Sequence, residues 1–350
     1  MGCRLLALDR TFGRVDAILR NACGTQFTGA VARIEQGGSL RFERAYGVTR
    51  QDTLARAVAV DTPFDLASIT KPFVATLALR AVAAGQLDLD GRLTKFFPEW
   101  RDSAHAAITL RMLLAHDSGM NSGADYRELL DHNVVRFALE RELVAAPGER
   151  VIYSDLGFIA IGELLQRLAA RSLKAQMRDF AATPFYVPPA RMRESIPATE
   201  DDGWRGRVQG FVHDEKAYLM GGVAGHAGLF GTAADVARLA EQYLAARKGR
   251  TSNALPRELA REAISEQAFD PVLRRGLGWA LKTSDENSCG RRLSSETFGH
   301  TGFVGTCVWA DPALDCSGVL LTNAVYFGRG DSRDLRAAFY EAMVEGLGMQ

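Results

Sequence analysis

The chain has no apolar run long enough to cross a bilayer: the helical stretch after Ser68 is interrupted by Arg80, and the run from Ile159 to Leu165 by Glu163. No membrane partner is expected. Net charge is also absent, since 42 Lys and Arg balance 42 Asp and Glu, and no basic tract is interleaved with aromatics, which argues against a nucleic-acid surface. Cysteine is scarce and odd in number. Cys3, Cys23, Cys289, Cys307 and Cys316 include no Cys-x-x-Cys spacing and suit reduced thiols. Cys307 and Cys316 flank a predicted hairpin and read as small buried residues of a strand pair. Residues Met1 to Arg10 offer only a few apolar positions before charge resumes, too few for a secretory segment, and Cys3 lies too near the start to be a lipoprotein cysteine. A cytoplasmic protein is expected. There are no repeats, no low-complexity tract and no flexible linker.

What is present is apolar substance: 47% of 350 residues is hydrophobic, enough for a large core and ordinary for two closely packed domains. Phe27 to Glu35 and Ser39 to Tyr46 read as strands joined by a hairpin at Gln36-Gly37-Gly38. Leu277 to Leu281, Gly305 to Trp309 and Ser317 to Thr322 supply further strands, the last two joined around Asp311-Pro312. Helical periodicity runs from Ser68 to Ala84, Leu110 to Ala115, Leu156 to Ala169 and Ala233 to Arg247, with Gly85 and Gly249 as stops. Strands from both ends of the chain are expected to share one antiparallel sheet, covered by terminal helices at Phe12 to Asn21 and Arg333 to Gly346. The predicted fold is therefore α/β (α+β). Residues 1–62 and 272–350 form a discontinuous sheet domain, 63–271 a mainly helical one, and the active site lies in the cleft between them.

Three short motifs carry chemistry. Ser68-Ile69-Thr70-Lys71 puts a hydroxyl and an amine on one face of a helix, a weak nucleophile beside a group that can take its proton. Lysine is rare here, 6 residues in all, so Lys71 is a poor fit to a casual surface lysine. Tyr153-Ser154-Asp155 follows the Pro147-Gly148 turn and opens an amphipathic helix. His300-Thr301-Gly302 precedes the C-terminal strand pair. In this order they resemble the Ser-x-x-Lys, Tyr-x-Asn and Lys-Thr-Gly motifs of the serine β-lactamase and penicillin-binding-protein superfamily, with two substitutions. The likeness is greatest to class C β-lactamase-related, esterase-like serine hydrolases. It extends through Thr109 to His116 with Ser118-Gly119, and through Gly221 to Phe230, covering about Phe27 to Asn323.

The resemblance implies an acyl-enzyme at Ser68, proton transfer by Lys71 and Tyr153, and an oxyanion hole from the backbone N–H groups of Ser68 and Phe303, where a helix start also favours negative charge. Which of Lys71 and Tyr153 is the resting base is open. It further implies substrate contacts from Asp155, His300, Thr301, Gly302 and His226. Asp155 stands where many relatives have Asn; a carboxylate cannot donate to an amide carbonyl, and it favours a charged Lys71, which moves the base role toward Tyr153. His300 replaces a lysine associated with substrate carboxylates and is mostly neutral at pH 7, pointing toward esters or less ionic amides. His213-Asp214-Glu215 suggests a metal, but neighbouring side chains point apart and no second ligand pair is spaced for one, so neither metal nor cofactor is expected. His105, His116 and His132 read as surface or packed residues, and Arg191 to Arg193 as a solvated face.

The expected function is a serine hydrolase for a small ester or amide substrate. An acyltransferase on the same scaffold, a β-lactamase or D-Ala carboxypeptidase, and a non-enzymatic binding or sensor domain follow in that order. The oligomeric state is not legible.

Overall fold

The computed structural model describes residues 11–123, 125–181, 183–271 and 274–349. The expectations for Met1 to Arg10 and Cys3, and the domain boundary at 272, lie outside the described residues. A hairpin opens the sheet, β1 (Gly29–Gln36) and β2 (Ser39–Gly47). Short strands follow: β3 (Phe64–Asp65), β4 (Phe185–Tyr186), β5 (Glu200–Asp202), β6 (Gly206–Val208) and β7 (Leu229–Gly231). The C-terminal part adds β8 (Ala268–Phe269), β9 (Arg274–Arg275), β10 (Ala280–Leu281), β11 (Phe298–Thr301), β12 (Cys307–Asp311) and β13 (Cys316–Thr322).

The main sheet is antiparallel throughout, in the order β2-β1-β13-β12-β11-β10-β9-β8. Its centre joins the two ends of the chain, with Ala30 opposite Thr322 and Gln36 opposite Cys316. Side chains alternate across it as the pleat requires. Ala30, Ala32, Ile34 and Leu320 face the terminal helices Gly13–Ala22 and Arg333–Gly346, while Val31, Val319 and Leu321 face the helical body. Gly318 lets the last helix approach closely: a Cβ there would lie 2.6 Å from Met343 Sδ and 2.8 Å from Tyr340 Cε1.

One predicted strand is shorter than expected and another is displaced by two residues, for one reason. Glycines turn the backbone where a ladder would have run. At Gly278, φ is +79° and a Cβ would lie 2.2 Å from Ala75 Cβ, so the Gly276-Leu277-Gly278 turn presses on the helix behind Ser68 and the strand begins only at Ala280. Gly305 (φ +114°) belongs to a turn whose N–H donates to the Gly302 carbonyl at 3.1 Å, and β12 starts two residues later. Cys307 lies opposite Leu320 and Cys316 opposite Asp311, out of register with one another; the four described cysteines are free thiols.

The helix Thr70–Ala83 is apolar on nearly all sides and runs through the core, and Pro72 is tolerated because it falls in the first turn, where N–H groups lack partners anyway. The helices Leu110–Ala115, Asp155–Ala169 and Ala233–Lys248 form at or within a residue or two of their predicted limits. No helix among the described residues is long and apolar enough to cross a membrane.

Candidate active site

Ser68 sits in a short 3-10 turn, Ala67–Ile69, that feeds the buried helix. Ala67 has φ +46°, an unfavourable backbone for alanine, held by the Asp65 carboxylate. Asp65 accepts from the Ala67 N–H at 2.8 Å and from the His213 N–H at 2.7 Å, which ties the serine turn to the 213–216 segment. Lys71, one helical turn on, is 0% exposed. Its Nζ donates to Ser68 Oγ (3.0 Å), Asp155 Oδ1 (2.8 Å) and the His226 carbonyl (3.1 Å). Three acceptors satisfy all three N–H bonds of an ammonium. Burial acts to lower the Lys71 pKa, but the charge of Asp155, with Tyr153 beside it, outweighs burial and the net shift is upward. Asp155 moves the other way: burial raises it, and Lys71, His226 and Lys216 bring it below its ordinary value.

Tyr153 is held from both sides along the chain. The Leu110–Ala115 helix ends at His116 in the left-handed conformation (φ 63°), and this turn receives the incoming segment: the Ile152 N–H donates to the His116 carbonyl (2.7 Å) and the Ser154 N–H to His116 Nδ1 (3.0 Å). Ser122 donates to the Tyr153 carbonyl (2.8 Å), and Ser154 caps the next helix through the Gly157 N–H (2.8 Å). His116 is thus packed, as expected, but it is also what orients the phenol, its ring 4.7 Å from that of Tyr153. Burial keeps it neutral, well below its usual pKa. Lys71 Nζ lies 4.7 Å and Arg275 Cζ 5.3 Å from the Tyr153 ring centroid.

The His300-Thr301-Gly302 motif ends β11 beside Ser68. A Cβ on Gly302 would meet Thr306 Oγ1 at 2.1 Å and the Leu66 carbonyl at 2.7 Å, so only glycine lets this strand approach the serine turn. Arg336, on the last helix, clamps the motif's outer turn by donating to the Gly302 carbonyl at 2.7 Å. His300 Nδ1 bonds the Thr301 carbonyl (2.8 Å), and burial with the nearby charges of Lys71 and Arg275 lowers its pKa to about 3. It is neutral at pH 7. Phe303 is 56% exposed and stacks on His213 at 5.6 Å. Cavities of about 410 Å³ and 260 Å³ both reach Ser68, Tyr153 and Phe303; the larger also touches Thr301 and Gly302, the smaller Asp155 and Lys216.

His226, expected as a substrate contact, is 0% exposed and instead supports Lys71 from beneath through its carbonyl. Its Nε2 bonds Asp214 Oδ1 at 2.8 Å, and Lys216 bridges Asp155 Oδ2 (3.2 Å) and Asp214 Oδ2 (3.8 Å). Asp155, Asp214 and His226 bring ligand atoms within 4.8 Å of one another, a grouping that can hold a metal ion. The two lysine ammoniums already neutralise those carboxylates, so the donor set fits an internal ion-pair ring better than a metal. Sequence reasoning missed Lys216, Asp214, Arg275 and Arg336. Lys216, one of few lysines and adjoining the charged triplet 213–215, was the one with a signal.

A serine at a helix start above a buried lysine ammonium, in a fold of antiparallel sheet flanked by helices, fits the class of serine hydrolases. The chain belongs to the Beta-lactamase family, whose description matches residues 10–342. It is 31% identical to Esterase EstB of Burkholderia gladioli over 90% of this chain and 91% of that protein. It is 28% identical to an N-acetylmuramyl-L-alanine amidase of Bacillus subtilis (strain 168), over 89% and 80%. The structure of EstCE1, described as a hydrolase with promiscuous acyltransferase activity, superposes with a TM-score of 0.78 at 20% identity, covering 96% of this chain and 99% of that one. Family and relatives make the chain a serine hydrolase.

Proposed function

We propose that Ser68 attacks the acyl carbon of a small ester or amide, with Tyr153 as the base. The observation that carries this reading is the coordination of Lys71: an ammonium donating to Ser68 Oγ, Asp155 and the His226 carbonyl has no lone pair with which to accept a proton. The Tyr153 side chain beside it, in its phenolate form, takes the proton from the serine hydroxyl as the new C–O bond forms and becomes the neutral phenol. The tetrahedral oxyanion is received by the N–H groups of Ser68 and Phe303, each donor being worth about 3 kcal/mol in the transition state. Tyr153 then returns the proton to the departing alcohol or amine as its bond to the acyl carbon breaks. Water repeats the sequence in reverse and releases the acid. Residues 1–62 with 272–350, and 63–271, are proposed as the two domains flanking this cleft.

Thr301, Gly302 and Phe303 are assigned to the substrate side, with Asp155 and His300 at the margins of the cleft. A neutral His300 is a poor anchor for a carboxylate, which favours uncharged esters over β-lactams and D-Ala-D-Ala ends. Acyl transfer to an alcohol is the second reading, supported by the similarity to a hydrolase with promiscuous acyltransferase activity. The free thiols of Cys23, Cys289, Cys307 and Cys316 support a cytoplasmic location. The deciding experiment is incubation with a fluorophosphonate followed by intact mass and peptide mapping. One adduct on Ser68, absent in Ser68→Ala, is expected; an unmodified protein refutes the proposal. Alcohol added during ester turnover separates transfer from hydrolysis by whether a new ester accumulates.

A further inference from the structure

We propose that Arg275 is a positioning residue for Tyr153, a second cation that favours the proton-accepting phenolate from the strand next but one to that of His300. The inference rests on Tyr153 being the base. Arg275 lies on β9, whose partner β10 pairs in turn with β11, the strand that bears His300. Its guanidinium carbon is 5.3 Å from the Tyr153 ring centroid, close to the 4.7 Å of Lys71 Nζ. Arg275 is only 7% exposed, and its Nε has no hydrogen-bond partner. His300 Nε2 and Trp309 Nε1 are likewise unpartnered, and all three residues line one cavity of about 280 Å³ together with Tyr153.

Burying a guanidinium is costly unless something nearby is made better by its charge. It stays protonated there, because arginine does not lose its proton in proteins. Burial does draw its pKa down, and Tyr153 and Asp270 oppose that pull. The other charged and titratable groups around the phenol do not supply the same field. His116 and His300 are neutral. Lys71 is positive, but Asp155 at 2.8 Å offsets much of its charge as seen from the ring. Across the cleft, Lys216 is matched by Asp155 and Asp214, and Arg329 by Glu200 and Glu215. Arg336 is turned to the Gly302 carbonyl, and Arg274 pairs with Glu266. Glu286, Asp331 and Arg333 line the outer cavity walls, and His213 stacks under Phe303. With Lys71, Arg275 is thus one of two buried cations stationed on the ring itself.

The test is the pH dependence of kcat/KM for an uncharged ester, p-nitrophenyl butyrate, in the wild type, Arg275→Gln and Arg275→Lys. With a neutral substrate, loss of a carboxylate contact cannot mimic the result. Arg275→Gln is expected to move the acidic limb up by about one unit, with kcat/KM about tenfold lower at neutral pH and recovering in alkali. Arg275→Lys is expected to keep the limb in place. A uniform fall across pH, an unchanged profile in Arg275→Gln, or a limb shifted equally in Arg275→Lys would each overturn the inference; the lysine variant decides even where glutamine prevents folding. Tyr153→Phe separates the two levels of the argument. Should it retain wild-type kcat/KM, the base assignment itself has failed; should it lose about 10²-fold or more while the Arg275 variants keep the limb, the inference alone has failed.

Discussion

Replacing Asp155 with Asn removes the negative charge from the Lys71 ammonium while keeping an oxygen to accept its hydrogen bond. The charges stand 2.8 Å apart, and at an effective dielectric of about 20 their attraction is about 6 kcal/mol. If the amide oxygen restores half of that, the Lys71 pKa still falls by about two units, at 1.36 kcal/mol for each. Lys71 is held above its ordinary 10.5, so the stability it contributes is complete below that value and lost as pH rises through its folded value. Asp155 is held below 3.8, and its contribution is complete above that value and lost as pH falls through its own folded value. The wild type should therefore exceed Asp155→Asn in stability most between those limits, by about 3 kcal/mol or more where the ammonium is left buried and unpaired. The assay is kcat/KM for a neutral ester from about pH 5 to 11.5, with thermal unfolding at the same points. The alkaline limb, set by loss of the Lys71 proton, is expected to move down by about two units. A folded variant whose alkaline limb has not moved refutes the idea that the Asp155 carboxylate governs the charge on Lys71.

Gly302→Ala forces a Cβ to within 2.1 Å of Thr306 Oγ1 and should displace the Phe303 N–H, lowering kcat by about 10²-fold or more; stopped-flow acylation at the wild-type rate contradicts that. Arg336→Met leaves the Gly302 carbonyl without its 2.7 Å donor and should cost about 1–3 kcal/mol in urea unfolding, and an unchanged midpoint would show the clamp to be idle. His300 is lowered to about 3, so His300→Gln should leave both limbs of the pH profile where they are; a moved acidic limb would mean that the imidazole carries charge during turnover.

Much of this site was readable in the chain because its parts are local. Ser68 and Lys71 are one helical turn apart, and the helix between them is apolar enough to fold inward whatever surrounds it. The hairpin and the last helix, Arg333–Gly346, appeared within two residues of their predicted limits, since alternation and periodicity are properties of short windows. The strand at Leu277 was overestimated and the one at Gly305 placed two residues early because positive-φ glycines answer to distant neighbours, Ala75 in one case and Ala324 in the other. Arg275, Arg336, Asp214 and Lys216 left weak marks or none for the same reason. Arg275, Arg336 and Lys216 acquire their roles from partners far along the chain, Tyr153, Gly302 and Asp155, and no spacing rule reaches that distance. His226 was expected to touch substrate; that its carbonyl faces Lys71 instead is a matter of backbone path that the sequence does not display.

The sheet pairs residue 30 with residue 322, and residue 336 clamps the turn after residue 301. Synthesis proceeds from the other end. Ser68 and Lys71 leave the ribosome early, yet the strand edge that would receive an acyl group is assembled only when the last helix has emerged and docked. A nascent chain therefore exposes the serine and the lysine before the strand edge beside them can be completed.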